Sequence, residues 1–195
     1  EGAYDPTYTG FASNGSSTWY FENGVAATEK TGLYLIGEEC VYLTKGQVDT
    51  TVAGFYEMSG DYYYIVNGRT TDVEDIIYNA ATGEWWYVEN GKFQSNAETI
   101  AHNANGWYYV KDGIVDFGFT GVSENSNGIY YCQNGKVTFG YTGFGQYKEI
   151  LYYFRGSSVA RDVTGVMYNG EKGWIYVKEG AYDPTYTGFA SNGSS

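Results

Sequence analysis

Apolar and polar residues alternate along this chain in short runs, and the runs recur on a fixed step. With Gly24, Gly46, Gly68, Gly91, Gly113, Gly135, Ser157 and Gly180 set at a common position zero, consecutive zeros lie 22 or 23 residues apart. Four residues before each zero stands a tyrosine: Tyr20, Tyr42, Tyr64, Tyr87, Tyr109, Tyr131, Tyr153 and Tyr176. Three before it comes an apolar residue: Phe21, Leu43, Ile65, Val88, Val110, Cys132, Phe154 and Val177. Nine after it the residue is again apolar in every unit, from Leu33 and Phe55 to Val166 and Phe189. Eight after it, six units carry glycine, five of them as Thr-Gly.

A period-two pattern flanked by turn dipeptides predicts β-hairpins. Asn23-Gly24, Asn67-Gly68, Asn90-Gly91, Asp112-Gly113 and Asn134-Gly135 suit a two-residue type I′ turn, whose two central residues both need positive φ. Gly156-Ser157 suits a type II′ turn instead. A second set of turn signals, such as Asn14-Gly15, Ser59-Gly60 and Asn127-Gly128, is expected to link one hairpin to the next. Alternation places positions minus four and minus six on one strand face and minus five and minus three on the other. Both faces are apolar, so each strand is expected to be covered on both sides. An isolated hairpin is marginal in water, and stacking on neighbours makes the array quasi-one-dimensional. The fold class expected is all-β: a solenoid of stacked β-hairpin repeats of about 22 residues each.

A longer period encloses the short one. Residues 1–17, EGAYDPTYTGFASNGSS, return letter for letter as residues 179–195, an offset of 178 residues. The expected organisation is one long repeat of eight hairpin units over 1–178, with 179–195 opening the next copy of a longer array.

Composition strengthens the all-β expectation. Tyr 23, Phe 10 and Trp 5 favour strands, and Gly 28 is roughly twice the usual share of about 7%. The net charge of −12 disfavours nucleic acid and anionic membrane surfaces. No apolar run is long enough to span a membrane as a helix. Cys40 and Cys132 lie about four units apart on a stack in which only neighbours touch, so both are expected free, with Cys132 buried in its apolar column.

The run Gly106-Trp107-Tyr108-Tyr109-Val110-Lys111-Asp112-Gly113, followed by Thr120-Gly121, resembles the aromatic cell-wall-binding repeats of Gram-positive surface proteins, the choline- and glucan-binding type, in a slightly longer form. The resemblance implies a hairpin solenoid outside the cell, without catalysis, in which aromatic residues of consecutive hairpins form cages for choline or clefts for sugars.

Catalytic chemistry finds no foothold in the residues. The one histidine, His102, has no Ser or Cys partner in a motif and is expected in an exposed connector. No Cys-x-x-Cys, His pair or calcium-loop spacing marks a metal site, and no cofactor is expected. The aromatics remain. Units four and five lack Thr-Gly, having Asp75-Ile76 and Glu98-Thr99 in its place, and so depart from the chain's own template. The candidate ligand-binding residues are therefore Trp85, Trp86, Trp107 and Tyr108 with the acids Asp72, Glu74 and Asp75, since rings of this kind stack on sugars or cage cations.

Three functions fit these features. A multivalent surface adhesin for a host protein, with immunoglobulin the most plausible single target, is the leading expectation, because repeated copies convert modest affinity into avidity. Carbohydrate or choline recognition for cell-wall anchoring is the second, and a passive stalk the third. All three place a monomeric chain at the bacterial surface or outside the cell, with no catalysis.

Overall fold

The computed structural model describes residues 4–191, and every helix or strand assigned among them is a β-strand. Twenty-four strands group into eight three-stranded hairpin units. The first four are β1 Gly10–Ser13, β2 Thr18–Glu22 and β3 Val25–Ala26; β4 Gly32–Ile36, β5 Glu39–Thr44 and β6 Gln47–Val48; β7 Gly54–Met58, β8 Asp61–Val66 and β9 Arg69–Thr70; and β10 Asp75–Asn79, β11 Glu84–Glu89 and β12 Lys92–Phe93. The next four are β13 Thr99–Asn103, β14 Gly106–Lys111 and β15 Ile114–Val115; β16 Gly121–Asn125, β17 Gly128–Cys132 and β18 Lys136–Val137; β19 Gly143–Tyr147, β20 Ile150–Arg155 and β21 Ser158–Val159; and β22 Gly165–Asn169, β23 Gly173–Lys178 and β24 Ala181–Tyr182. The chain divides into two compact units, one ending at Gln94 and the other beginning at Ser95. Each holds four hairpins.

The hairpin solenoid is as expected, but the two turns of each unit exchange roles. The longer ladder is closed by the second turn: β1 pairs β2 from Gly10↔Phe21 to Ser13↔Thr18, and β13 pairs β14 from Thr99↔Val110 to Asn103↔Gly106. The Asn-Gly type turn leads only into a two-residue strand, as in Phe21↔Ala26 and Glu22↔Val25. That short strand is the connector. It pairs its own central strand and also that of the hairpin before it, as β6 does with β2 (Trp19↔Gln47) and β21 with β17 (Tyr130↔Ser158).

All eight position-zero turns have positive φ at both central residues, 51° and 76° at Asn23 and Gly24. Gly156 and Ser157, at 61° and 63°, follow the same rule, so the type II′ expectation there is corrected. Two bonds hold Ser157 in this region: its N–H donates to the Tyr141 carbonyl at 2.8 Å, and its hydroxyl accepts from the Tyr141 N–H at 3.2 Å. At Gly46 only glycine fits, because a Cβ there would sit 2.6 Å from the Ala27 carbonyl oxygen.

The recurrent residues now have causes. Within each compact unit the backbone N–H of the minus-four tyrosine donates to the position-zero carbonyl of the following hairpin, as Tyr20 does to Gly46 and Tyr131 to Ser157. The threonine of Thr-Gly accepts a bond from the next turn: Thr9, Thr31, Thr120 and Thr164 hold the N–H of Asn23, Lys45, Asn134 and Glu179. The tyrosine bond recurs from hairpin to hairpin within each compact unit and holds the period, and the threonine bond adds to it where Thr-Gly is present.

Hairpins stack face to back. The tyrosine face of one, positions minus four and minus six, lies on the inner face of the next, positions minus five and minus three. Tyr20 clusters with Val41 and Leu43 of the second hairpin. Phe55 and Tyr62 of the third lie 4.9 and 5.1 Å from Trp86 of the fourth. In the second compact unit Tyr109 packs with Cys132, and Tyr131 meets Phe154 at 6.0 Å. Gly145 marks a close approach, since a Cβ there would come within 2.8 Å of Val122. The core therefore runs along the minus-three column, where Leu43, Ile65, Val88, Cys132, Phe154 and Val177 are fully buried. Burial of each such side chain contributes about 1.5–3 kcal/mol. The tyrosine column is less deep: Tyr20 and Tyr109 are buried and the other six half-buried. Both cysteines are free and buried, as expected.

Candidate ligand-binding clefts

The candidate residues fall in different settings. Trp85 and Trp86 are neighbours on β11 and therefore point to opposite faces. Trp86 is core: only 6% of it is exposed, Phe93 stacks on it at 4.1 Å, and its indole N–H donates to Glu84 at 3.0 Å. Phe55 and Tyr62 of the preceding hairpin close on it as well. Trp85 is half-buried and pairs across the strand with Tyr78 at 5.3 Å. Of the acids, Asp72 and Glu74 are exposed and Asp75 is half-buried. Glu74 accepts the Tyr87 hydroxyl at 3.2 Å, and burial, followed by the charge of Glu74, pushes the Tyr87 phenol up to about 12. Asp75 is spent on the Ile76 N–H. Among the described residues no group of three or more His, Cys, Asp or Glu could hold a metal ion.

Trp107 and Tyr108 belong to the second compact unit and also occupy opposite faces of β14. Trp107 is met edge-on by His102 at 4.7 Å. His102 is thus a strand residue of β13, exposed as expected but not in a connector. Tyr108 is half-buried, with the Lys136 ammonium 5.2 Å from its ring and its hydroxyl donating to the Asn105 carbonyl.

The second compact unit also contains a cleft that the candidate residues did not include. Glu98, Tyr109, Phe119, Glu124, Tyr147 and Lys148 line most of a cavity of about 460 Å³ contributed by the fifth, sixth and seventh hairpins. Tyr109 lies flat on Phe119, with ring centroids 3.7 Å apart, and donates its hydroxyl to Glu98 at 2.7 Å. Burial, then that bond, raises the Tyr109 phenol well above its ordinary range. Across the cleft Lys148 is ion-paired to Glu124 and sits 4.9 Å from the Tyr147 ring. The bonds from Lys148 and then Tyr147 hold the Glu124 carboxyl below its ordinary range. Two carboxylates and three rings around one cavity favour a cation, through charge and through the negative ring faces. Lys148 already supplies one.

A signal for this cleft was present in the sequence. Tyr8, Phe119, Tyr141 and Tyr186 stand six residues after their position zero, counting Gly2 as the zero before Gly24. Phe119, Tyr141 and Tyr186 each stack on the tyrosine ten residues earlier, Tyr131 on Tyr141 at 3.6 Å and Tyr176 on Tyr186 at 3.6 Å. Each stack is the ring wall between one central strand and the connector that follows it.

A sequence model of the choline-binding repeat matches residues 7–26, 78–93, 96–116, 118–138 and 162–183, just over half of the chain. The chain belongs to the choline-binding repeat family. Each match carries one position-zero turn, those of Gly24, Gly91, Gly113, Gly135 and Gly180. Units four and five, set apart by their missing Thr-Gly, are both among them, so they depart from the chain's own template and not from the family repeat. Among solved structures, CbpJ of Streptococcus pneumoniae TIGR4 is 21% identical, with 86% of this chain and 56% of that chain covered and a TM-score of 0.36. Choline binding protein F of Streptococcus pneumoniae, solved in the presence of a peptidoglycan analogue, is 19% identical, with 90% and 58% covered and a TM-score of 0.35. The photosystem II reaction center Psb28 protein of Rippkaea orientalis is 32% identical over 77 residues, which are 37% of this chain and 55% of that protein. The chain spans just over half the length of each of these proteins. The family match favours the choline-type cell-wall reading over the host-protein one, and no comparison supports an immunoglobulin partner.

Proposed function

We propose that this chain is a non-catalytic cell-wall-anchoring module of a Gram-positive surface protein, and that it holds choline-type quaternary ammonium groups in clefts between its hairpins. The observation that carries this reading is the cleft of Glu98, Tyr109, Phe119, Glu124 and Tyr147, which combines stacked rings with two carboxylates. A trimethylammonium head is a diffuse cation that gives up little hydration, so ring faces and a nearby carboxylate suffice to hold it. Each ring contributes about 0.5–1 kcal/mol at an exposed site and about 2 where water is excluded. Affinity per cleft is then modest, and anchoring to a polymer that displays many such groups relies on several clefts acting together.

Isothermal titration with choline chloride tests this, with maltose and sodium chloride as controls. The expected result is saturable millimolar binding that Glu124→Gln and Tyr147→Ala each weaken while the melting temperature stays put. Absence of a choline-specific heat, or binding untouched by both variants, would refute the assignment of this cleft.

A further inference from the structure

The face-to-back rule is unmet at the first hairpin of the first compact unit and at the last hairpin of the second. At the first hairpin the inner face is open: Trp19 and Phe21 are half-buried, although Leu43, Ile65 and Val88 in the Phe21 column are fully buried. A largely apolar hollow of about 480 Å³ lies there, lined by Ala12, Trp19, Phe21, Ala26 and Thr28 among others. At the eighth hairpin the tyrosine face is open instead. Trp174 is 65% exposed and its cross-strand partner Tyr168 is 60% exposed. Trp107, in the same column of the fifth hairpin, is half-buried in the cluster that includes Cys132 of the sixth. One end thus lacks a covering tyrosine face, and the other lacks a covering inner face. Exposed apolar patches of this kind mark interaction surfaces.

The sequence names the occupant. The segment from 179 onward repeats the one from residue 1, and the structure shows this sequence in both of its settings. Three of its internal side-chain bonds are the same in each. Asp183 accepts from the Thr185 N–H and hydroxyl at 2.9 and 2.6 Å, and Asp5 from those of Thr7 at 2.9 and 2.7 Å. Tyr186 donates to the Phe189 carbonyl at 2.7 Å, and Tyr8 to that of Phe11 at 2.6 Å. At the end of the chain this segment is seated on the hairpin before it, with Tyr186 flat on Tyr176 at 14° between the rings. At the start it leads into the hairpin after it, where Phe11 packs on Tyr20 at 5.2 Å with Arg69 over its ring at 4.2 Å. The second-copy equivalent of Phe11 is Phe189, which is fully exposed. One copy of the segment shows the backward half of a joint, and the other shows the forward half.

We infer that 178-residue copies of this sequence join directly, without a linker. The tyrosine face of the eighth hairpin of one copy, with Trp174 and Tyr168, closes over the Trp19–Phe21 inner face of the next. The partner for both open faces is therefore a second copy of this same sequence within one chain. The last compact unit of one copy then stacks on the first compact unit of the next, so the joint is a packed interface and not a free tether between copies.

A two-copy protein, residues 1–178 followed directly by 1–195, tests the joint against the 195-residue chain. In the two-copy protein the leading Trp174 lies in the joint and the trailing Trp174 stays open, so each variant controls for the other. Trp174→Ala in the leading copy is expected to lower the urea midpoint, and Trp174→Ala in the trailing copy to leave it unchanged. Equal effects at the two places would overturn the inference. Should the leading variant fail to fold, iodide quenching of the unmutated proteins gives an independent answer. A quenchable tryptophan fraction per copy that falls on going from one copy to two supports the joint, and an unchanged fraction overturns it.

Discussion

Trp86 and Tyr109 are both large rings between stacked hairpins, yet one lies in a closed packing site and the other on the wall of a cleft. Around Trp86 every opening is filled by another ring, Phe55, Tyr62 or Phe93, and the indole N–H is tied to Glu84. Around Tyr109 one face is filled by Phe119, while the hydroxyl side faces Glu98 and a cavity walled by Glu124, Tyr147 and Lys148. What stands opposite decides the role. Where a ring faces a ring, dispersion and burial make core; where it faces carboxylates across a gap, it becomes one wall of the cleft proposed to hold a cation.

The largest test of this contrast is Trp86→Ala. It removes the centre of a four-ring cluster and is expected to cost about 3–5 kcal/mol. Because stability in such a stack is a sum of unit and neighbour terms, the loss should be concentrated in the third and fourth hairpins and fade beyond them. Hydrogen exchange resolved by residue would show this, and a uniform loss along the chain would contradict it. Choline binding at the Tyr109 cleft should survive at temperatures where the variant remains folded.

Tyr109→Phe should be milder, about 1 kcal/mol, the usual net worth of one hydrogen bond. It also carries a pH signature. Burial and Glu98 raise the folded-state phenol above its ordinary value of 10.0, so the stabilising contribution is fully present below pH 10 and is lost as pH rises through the folded value. Thermal melts of the parent and of Tyr109→Phe should therefore converge above pH 10. Parallel curves across that window would show that the hydroxyl is not favoured as a neutral donor.

The smallest effect on stability and the sharpest on binding is expected from Lys148→Ala. Its pair with Glu124 is exposed, and such pairs contribute about 0–1 kcal/mol. Losing the tethered ammonium should leave Glu124 and Tyr147 free for an external cation and tighten choline binding in titration calorimetry. Weaker binding in Lys148→Ala would mean that the lysine builds the cleft instead of competing for it.

Much of this was legible along the chain. Tyrosine at minus four, an apolar residue at minus three and a positive-φ turn at zero are local demands, met within a few residues by turn geometry and strand alternation, so the period and the all-β class followed from sequence. The alternation also announced two covered faces. Which turn closes the longer ladder did not follow, because Asn-Gly and Ser-Gly both permit a tight reversal, and strand lengths depend on pairing between hairpins. The acids Asp72, Glu74 and Asp75 stood out by proximity in sequence, whereas Glu98 and Glu124 come together only through stacking.

By itself, then, the sequence determined the repeat: its step, the positions of its turns, its buried minus-three column and its two unpaired thiols, since each rests on interactions within a hairpin or between adjacent hairpins in fixed register. Only the tertiary structure decided which rings are core and which line a cleft. That distinction depends on what one hairpin's face meets on the next, with side chains up to 50 residues apart, Glu98 and Lys148, sharing one small volume.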